Sequence, residues 1–391
     1  MTSKLTFRDR HTGVLATLTS VAIAAGAITI APPAIAENLQ PLNIRLASDL
    51  VGPPHPAGIT MEYMKETLPK IIPGSKMRIY YAGSLYNIPE AVEAMSQGNV
   101  EMTWGQFGKS AQIEPYMSVV NGPMLLTTPG AMNQFEKFET YRFLKKRMSK
   151  THGVELIGAA HLSMYMGYGG RERILDDFKG KKIRSMGPAE NAALKSWNAN
   201  PTTMAFGDVP PALETKVIDG LLTSLGGFNV VKNQAPYFTV AGINGVVGDY
   251  YWIGASQKWL NRLNKTTRTT FQNWMTKEII PLQKKLNWCN DKRVLDLYGT
   301  KDPSKPGIYI LPAAQQASLQ KKLGSATAEW IKSKTPGDAD QWVDKFAAEA
   351  RTAVKAHPIG SDALEATDCA KMAHWFTRYK KFVKKKKKKK S

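Results

Sequence analysis

Arg184 closes the short run Lys182-Ile183-Arg184 inside residues 176–220, a stretch that reads as two strand-and-turn units. Its guanidinium is a planar fork of donors that holds a carboxylate through two parallel hydrogen bonds. The same stretch supplies Phe206 and the Asp219-Gly220 turn. One cation, one aromatic ring and one tight turn are therefore expected around a cleft, a set suited to capturing an organic acid.

Other residue sets offer less. Asp49, Asp219, Asp249 and His161 are candidates for acid-base work in a cleft, but the chain carries no GxSxG elbow, no glycine-rich phosphate loop and no HExxH. An enzyme is not expected, and neither is a cofactor. The six histidines are scattered, which removes the usual zinc signature. Asp249 is weighed as a ligand for a cation or amine against a plain solvated acid. Cys289 and Cys369 are the two cysteines. In an oxidising exported compartment such a pair reads as a disulfide, here tying the segment after Trp288 to the last helix.

The export expectation comes from residues 1–36. Lys4, Arg8 and Arg10 form a basic head, residues 13–30 an apolar run, and Ala34-Ile35-Ala36 a small-x-small cleavage site. The alternative is an uncleaved anchor, since the run is just long enough to span a bilayer; Thr17, Thr19, Ser20 and Thr29 favour cleavage. The formal charge is +21, of which the leader contributes two and the tail lysines 380, 381 and 384–390 contribute nine, leaving ten on the folded body. That excess helps steer an anionic solute. The tail, residues 380–391, is expected to be a disordered, solvated appendage, with contact to anionic membrane or cell wall as a second reading. No aromatic-basic stacking pattern accompanies it, so a nucleic-acid partner is not expected.

Periodicity places the elements that would position these residues. A chain of 391 residues exceeds the size at which one core keeps growing, so two lobes are expected. Residues 43–47 alternate as a strand, 57–72 carry helical spacing up to Pro73-Gly74, 77–82 form a strand, 88–97 a helix stopped at Gly98, and 100–104 a strand. Strand and helix in alternation predict a parallel sheet with crossover helices, with ligands beyond the carboxyl ends of the strands. A helix at 133–150 and a strand at 154–160 follow. Strands at 183–185, 200–204 and 217–222 with helices at 189–197 and 209–215 make a second lobe. The chain is expected to cross between lobes near 160–163 and 245–251, forming a hinge. Beyond residue 257 the pattern predicts amphipathic helices at 259–287, 313–334, 339–356 and 362–383, with a loop at 291–312. The layout is thus a signal peptide 1–36, lobe I 37–162 with 248–287 returning to it, lobe II 163–247, a helical C-terminal region 288–379 packed on the lobes, and the lysine tail.

Several blocks now stand in order: Ala82-Gly83-Ser84-Leu85, Gly98-Asn99-Val100-Glu101-Met102, Leu175 through Arg184, Pro201 through Phe206, and Ala212 through Gly220. In this order and spacing the chain resembles the extracytoplasmic solute receptors of tripartite ATP-independent periplasmic (TRAP) transporters, of the dicarboxylate-receptor type. The resemblance covers most of residues 43–286. It implies an α/β, two-lobed periplasmic-binding-protein fold with a hinge and a helical C-terminal extension, closing on an organic anion and delivering it in the periplasm to the membrane subunits of a TRAP permease. The family's carboxylate-binding arginine matches Arg184, and its aromatic pocket wall matches Phe206.

The departures bear on the cargo. A second arginine common in the family falls at Met164, and the usual pocket asparagine is replaced by Thr223. Asp49 and Gln106 stand where relatives place polar contacts, and Tyr168 and Tyr251 belong to an aromatic cluster near the crossings. One arginine beside Met164 and Thr223 points to a monocarboxylate, a bulky or aromatic acid, or a less acidic solute, unless Arg171 or Arg173 reaches inward. A solute receptor for an ATP-driven permease and a ligand-sensing subunit are the alternative functions. A monomer is expected, with dimerisation left open.

Overall fold

Ile44 and Leu46 are buried and Asn43 and Arg45 exposed along the first strand, the alternation that turns one row of side chains into a core. The computed structural model describes residues 38–379 except 336 and 338; the leader and lysine tail lie outside them. Twelve strands run along the described chain: β1 (Asn43–Ser48), β2 (Lys76–Tyr80), β3 (Met102–Gln106), β4 (Val154–His161), β5 (Met166–Gly170), β6 (Lys182–Ser185), β7 (Asn200–Thr203), β8 (Gly220–Ser224), β9 (Tyr237–Val240), β10 (Tyr250–Ser256), β11 (Gly299–Thr300) and β12 (Gly307–Ile310). They form a five-stranded sheet in the order β2-β1-β3-β10-β4 and a seven-stranded sheet in the order β11-β12-β9-β5-β8-β6-β7. Each sheet is the floor of one lobe.

In the first lobe β1 pairs in parallel with β2 and β3. The crossovers are α1 (Pro56–Ile71) and α2 (Ile88–Gln97). Asn87 and Glu90 cap the start of α2 reciprocally, and Gly98, at φ 83°, ends it, the left-handed turn that glycine makes without Cβ strain. Before α1 the loop folds back on the helix. A Cβ on Gly58 would lie 2.4 Å from the Gly52 carbonyl carbon and 2.6 Å from the Pro53 nitrogen, so only glycine lets that loop pass. β10 returns antiparallel between β3 and β4.

In the second lobe β6 lies parallel to β7 and β8, with β5 antiparallel between β8 and β9. The chain passes from β4 to β5 through residues 162–165 and back from β9 to β10 through 241–249. A third passage was not legible beforehand. The helix Ile280–Tyr298 packs on β4, runs past the helix Leu225–Val231 and hands the chain to β11.

That helix corrects two expectations. Residues 291–298 are helical rather than loop, and β11 and β12 add to the edge of the second sheet, so 288–379 is not wholly helical. The loop reading followed Asp302-Pro303-Ser304 and Pro306-Gly307, which confine themselves to the turn between the strands, where Asp302 accepts from the Ser304 N–H at 2.9 Å. Ile308 is buried beyond it. The expected helix at 259–287 is broken: Gln257–Leu260 and Lys265–Trp274 lead into a π turn at Met275–Ile279, just before Pro281, whose ring removes a backbone donor. Gly324 splits 313–334 in two. Of 362–379 only Cys369–Met372 and Trp375–Arg378 are helical.

The C-terminal segments are packed against the lobes. In the helix Ala339–Ala356, Trp342 stacks on Phe143 at 3.8 Å and Phe346 meets Phe135 and Phe138 edge-on or tilted. Trp197 of the second lobe donates its indole N–H to the Leu319 carbonyl at 3.0 Å. Cys289 and Cys369 are joined by a disulfide that fastens the last turns to the helix Ile280–Tyr298, and Arg378 pairs with Glu66 of α1 at 2.7 Å.

Candidate functional site

The carboxyl ends of β1, β3, β6 and β8 face one gap between the sheets, where open α/β sheets place their ligands. The first lobe lines it with Leu50, Val51, His55, Gln106 and Tyr251, and the second with Arg184, Met186, Phe206, Thr223 and Gly227. The free space is about 20 Å³, little more than the ~10–15 Å³ that one water requires. Wider depressions near Leu295 and near Lys345 lie open on the surface. A Cβ on Gly227 would stand 2.0 Å from Thr223 Oγ1, so a side chain there would push the threonine from its place at the floor.

Arg184 is 1% exposed. Nε and Nη2 donate to the Met204 carbonyl at 3.1 and 2.9 Å, and Nη1 donates to the Leu222 carbonyl at 3.1 Å. These bonds hold the guanidinium in place while neutralising none of its charge. A guanidinium has five N–H donors, so two remain for a guest. The ring of Phe206 lies 5.8 Å from the guanidinium carbon, within cation–π reach. Burial pulls the Arg184 pKa down to about 10, opposed by Asp49 and Glu190, so it stays a cation at neutral pH. Among the described residues it forms no ion pair.

The opposite wall is uncharged. His55 caps α1, its Nδ1 accepting from the Ala57 N–H at 3.3 Å, which leaves the ring hydrogen on Nε2. Burial pushes its pKa down to about 4, against the pull of Asp49. The Tyr251 ring meets the His55 ring edge-on at 6.4 Å, and burial keeps its hydroxyl protonated by raising its pKa well above the usual value. Gln106 is 6% exposed, with Oε1 unpartnered among the described residues.

Behind this wall two groups of charges are sequestered. Asp49 is buried against the ammonium of Lys109, a closed pair. Glu190, on the helix Pro188–Ser196 of the second lobe, and Asp249, just before β10, approach the same spot on Gly108: a Cβ there would be 2.8 Å from Glu190 Oε1 and 3.3 Å from Asp249 Oδ2. Asp249 Oδ1 accepts from the Gly108 and Tyr250 N–H groups, whereas neither Glu190 oxygen has a described partner. Burial raises Glu190 to about 7 despite Arg184 and Lys109. Burial and the Glu190 charge raise Asp249 well above the usual carboxylate value. Two carboxyls so placed hold a proton near neutral pH.

Of the eight residues expected at a solute site, the structure brings Arg184, Phe206, Thr223, Gln106 and Tyr251 together around the cavity. Three stand elsewhere. Asp49 is turned to Lys109. Met164 is in the crossing, its backbone N–H bound to Asp291 at 2.6 Å and its side chain in the first-lobe core. Tyr168 packs on Phe178 at 4.5 Å and donates to the Leu175 carbonyl, because the outward face of β5 looks into the second-lobe core. Arg171 and Arg173 also turn away, donating to the Leu213 and Glu214 carbonyls and to those of Pro303, Phe238 and Lys305. His55 was missed. Its one sequence signal was a polar residue immediately before Pro56, an N-cap position. Among the described residues no three His, Cys, Asp or Glu side chains gather as a metal site.

Residues 47–334 match the family described as bacterial extracellular solute-binding protein, family 7. The C4-dicarboxylate-binding periplasmic protein DctP of Vibrio cholerae is 23% identical over 315 residues, 80% of this chain and 86% of that protein. Among solved structures, the sugar acid binding protein of Advenella mimigardefordensis in complex with galactonate superposes with a TM-score of 0.71 at 20% identity, covering 81% of this chain and 100% of that one. A TRAP periplasmic solute binding protein of Shewanella oneidensis with bound succinate superposes at 0.69 and 18% identity, covering 80% and 100%.

Proposed function

From the premise that this chain belongs to family 7 of the bacterial extracellular solute-binding proteins, we propose that it captures an organic carboxylate between its lobes and passes it to a TRAP-type membrane permease. The observation that carries this reading is Arg184, a buried cation with no ion-pair partner among the described residues, fixed by two carbonyls and facing an interlobar cavity with two donors to spare. An unpaired buried charge costs several kcal/mol, so an anionic guest that pairs with it gains from completing the site. Phe206, Tyr251, Met186 and Leu50 supply the apolar walls typical of small-molecule pockets.

The chain passages at 162–165 and 241–249 serve as the hinge. The open form admits the solute, and contacts from both lobes favour the closed form. The leader at 1–36 directs the protein to the periplasm, where such a receptor meets its permease. Differential scanning of the protein with a panel of organic acids tests the reading: an authentic solute at a hundred times its Kd adds about 2.7 kcal/mol of stability and raises the melting temperature. A panel in which sugars or amines stabilise the protein and no carboxylate does would refute it.

A further inference from the structure

The cavity carries one cation but three kinds of uncharged hydrogen-bonding group, and their arrangement narrows the solute. His55 Nε2 carries the ring hydrogen, since Nδ1 is spent on the Ala57 N–H, and it projects across the gap to within 3.4 Å of a Cβ position on Gly226. Gln106 Oε1 is buried in the cavity wall with its lone pairs unused. A buried acceptor left without a partner carries a desolvation penalty, and the Nε2 hydrogen has no acceptor among the described residues. Both are satisfied at once by a hydroxyl group, which accepts from one and donates to the other.

Resting on the carboxylate reading above, we propose that the solute is a monocarboxylate bearing an uncharged oxygen substituent, best a hydroxyl, whose carboxylate pairs with Arg184 and whose hydroxyl is read by His55 and Gln106. A second carboxylate finds no cation there. Lys109 is closed on Asp49, Arg171 and Arg173 are spent on backbone carbonyls outside the cavity, and burial keeps His55 neutral. Uncompensated burial of that second charge disfavours compact dicarboxylates. His55 and Gln106 thereby act as specificity-determining residues.

Calorimetry on the mature protein with matched acids of three to eight carbons, each unsubstituted, as its 2-hydroxy derivative and as the dicarboxylate, tests this. At the best chain length the 2-hydroxy acid should bind about tenfold or more tighter than both counterparts, the discrimination a site built for a hydroxyl imposes. In Gln106→Leu the ratio of hydroxylated to unsubstituted acid should fall to about twofold or less. His55→Asn should do the same, since Asn preserves the helix cap while withdrawing the Nε2 donor. A dicarboxylate bound as tightly as the hydroxy acid, or a ratio unchanged in both variants, overturns the inference while leaving carboxylate capture intact. Absence of binding by every acid overturns both.

Discussion

Glu190 of the second lobe and Asp249, at the end of the passage into the first, direct unpartnered carboxyl oxygens at the same point on Gly108. The second-lobe turn at Gly187 packs there against the Gly108 carbonyl, 2.4 Å from where a Cβ would sit. Two buried acids thus meet at a seam where the lobes touch.

A pH dependence follows. The Glu190 pKa is raised from 4.5 to about 7, so its protonated form belongs to the native state, and its stabilising contribution is complete below the ordinary value and lost as pH rises through about 7. His55 and His161, depressed by burial to about 4 and about 3, act oppositely: their contribution grows as pH rises toward 6.5 and is complete above it. Glu190→Gln removes this contribution together with the Glu190 charge that helps hold Asp249 protonated, and leaves the histidines and Asp291, itself raised by burial to about 7. Between about pH 5 and about pH 8 the variant should lose fewer degrees of melting temperature than the parent, by a few degrees. Identical losses in parent and variant would show that Glu190 titrates normally.

The disulfide closes a loop of 80 residues between Cys289 and Cys369. Loop-closure entropy for that length amounts to about 4–5 kcal/mol. Reductant should therefore lower the melting temperature, and thiol titration of the unreduced protein in denaturant should give no free thiol. Two free thiols, or a melting curve indifferent to reductant, would count against the bridge.

Gly58 carries a third expectation. The loop bearing Val51 and His55 passes so close that a Cβ would overlap Gly52 and Pro53, and backbone cannot yield as a flexible side chain does. Gly58→Ala should cost about 1–3 kcal/mol of stability and weaken solute binding together, measured by chemical denaturation and calorimetry. Preserved stability and affinity would mean that the loop is free to move aside.

The parts of this architecture legible in sequence were those whose signals are local. Asn87 and Gly98 bracket α2 by cap chemistry, and the strand-helix alternation from Asn43 to Gln106 announced the first parallel sheet. β12 was hidden because Gly307-Ile308-Tyr309-Ile310 lies behind a Pro and Lys-rich turn and gains its meaning only by pairing with β9. At the site, Arg184 and Phe206 stood in recognisable blocks. His55 looked like punctuation within Pro53-Pro54-His55-Pro56, and its approach to Tyr251 depends on a contact spanning nearly two hundred positions. Tyr168 was drawn in by its aromatic type, whereas the strand face it occupies is decided by the second-lobe core around Phe178.

The central claim concerns Arg184 and is tested most directly by titrating the most stabilising carboxylate into the parent and into Arg184→Ala, with circular dichroism confirming that both are folded. Truncating one partner of a buried charged pair costs about 2–5 kcal/mol, so affinity in the variant should fall by about thirtyfold or more. A folded variant that binds the acid as tightly as the parent would contradict the account.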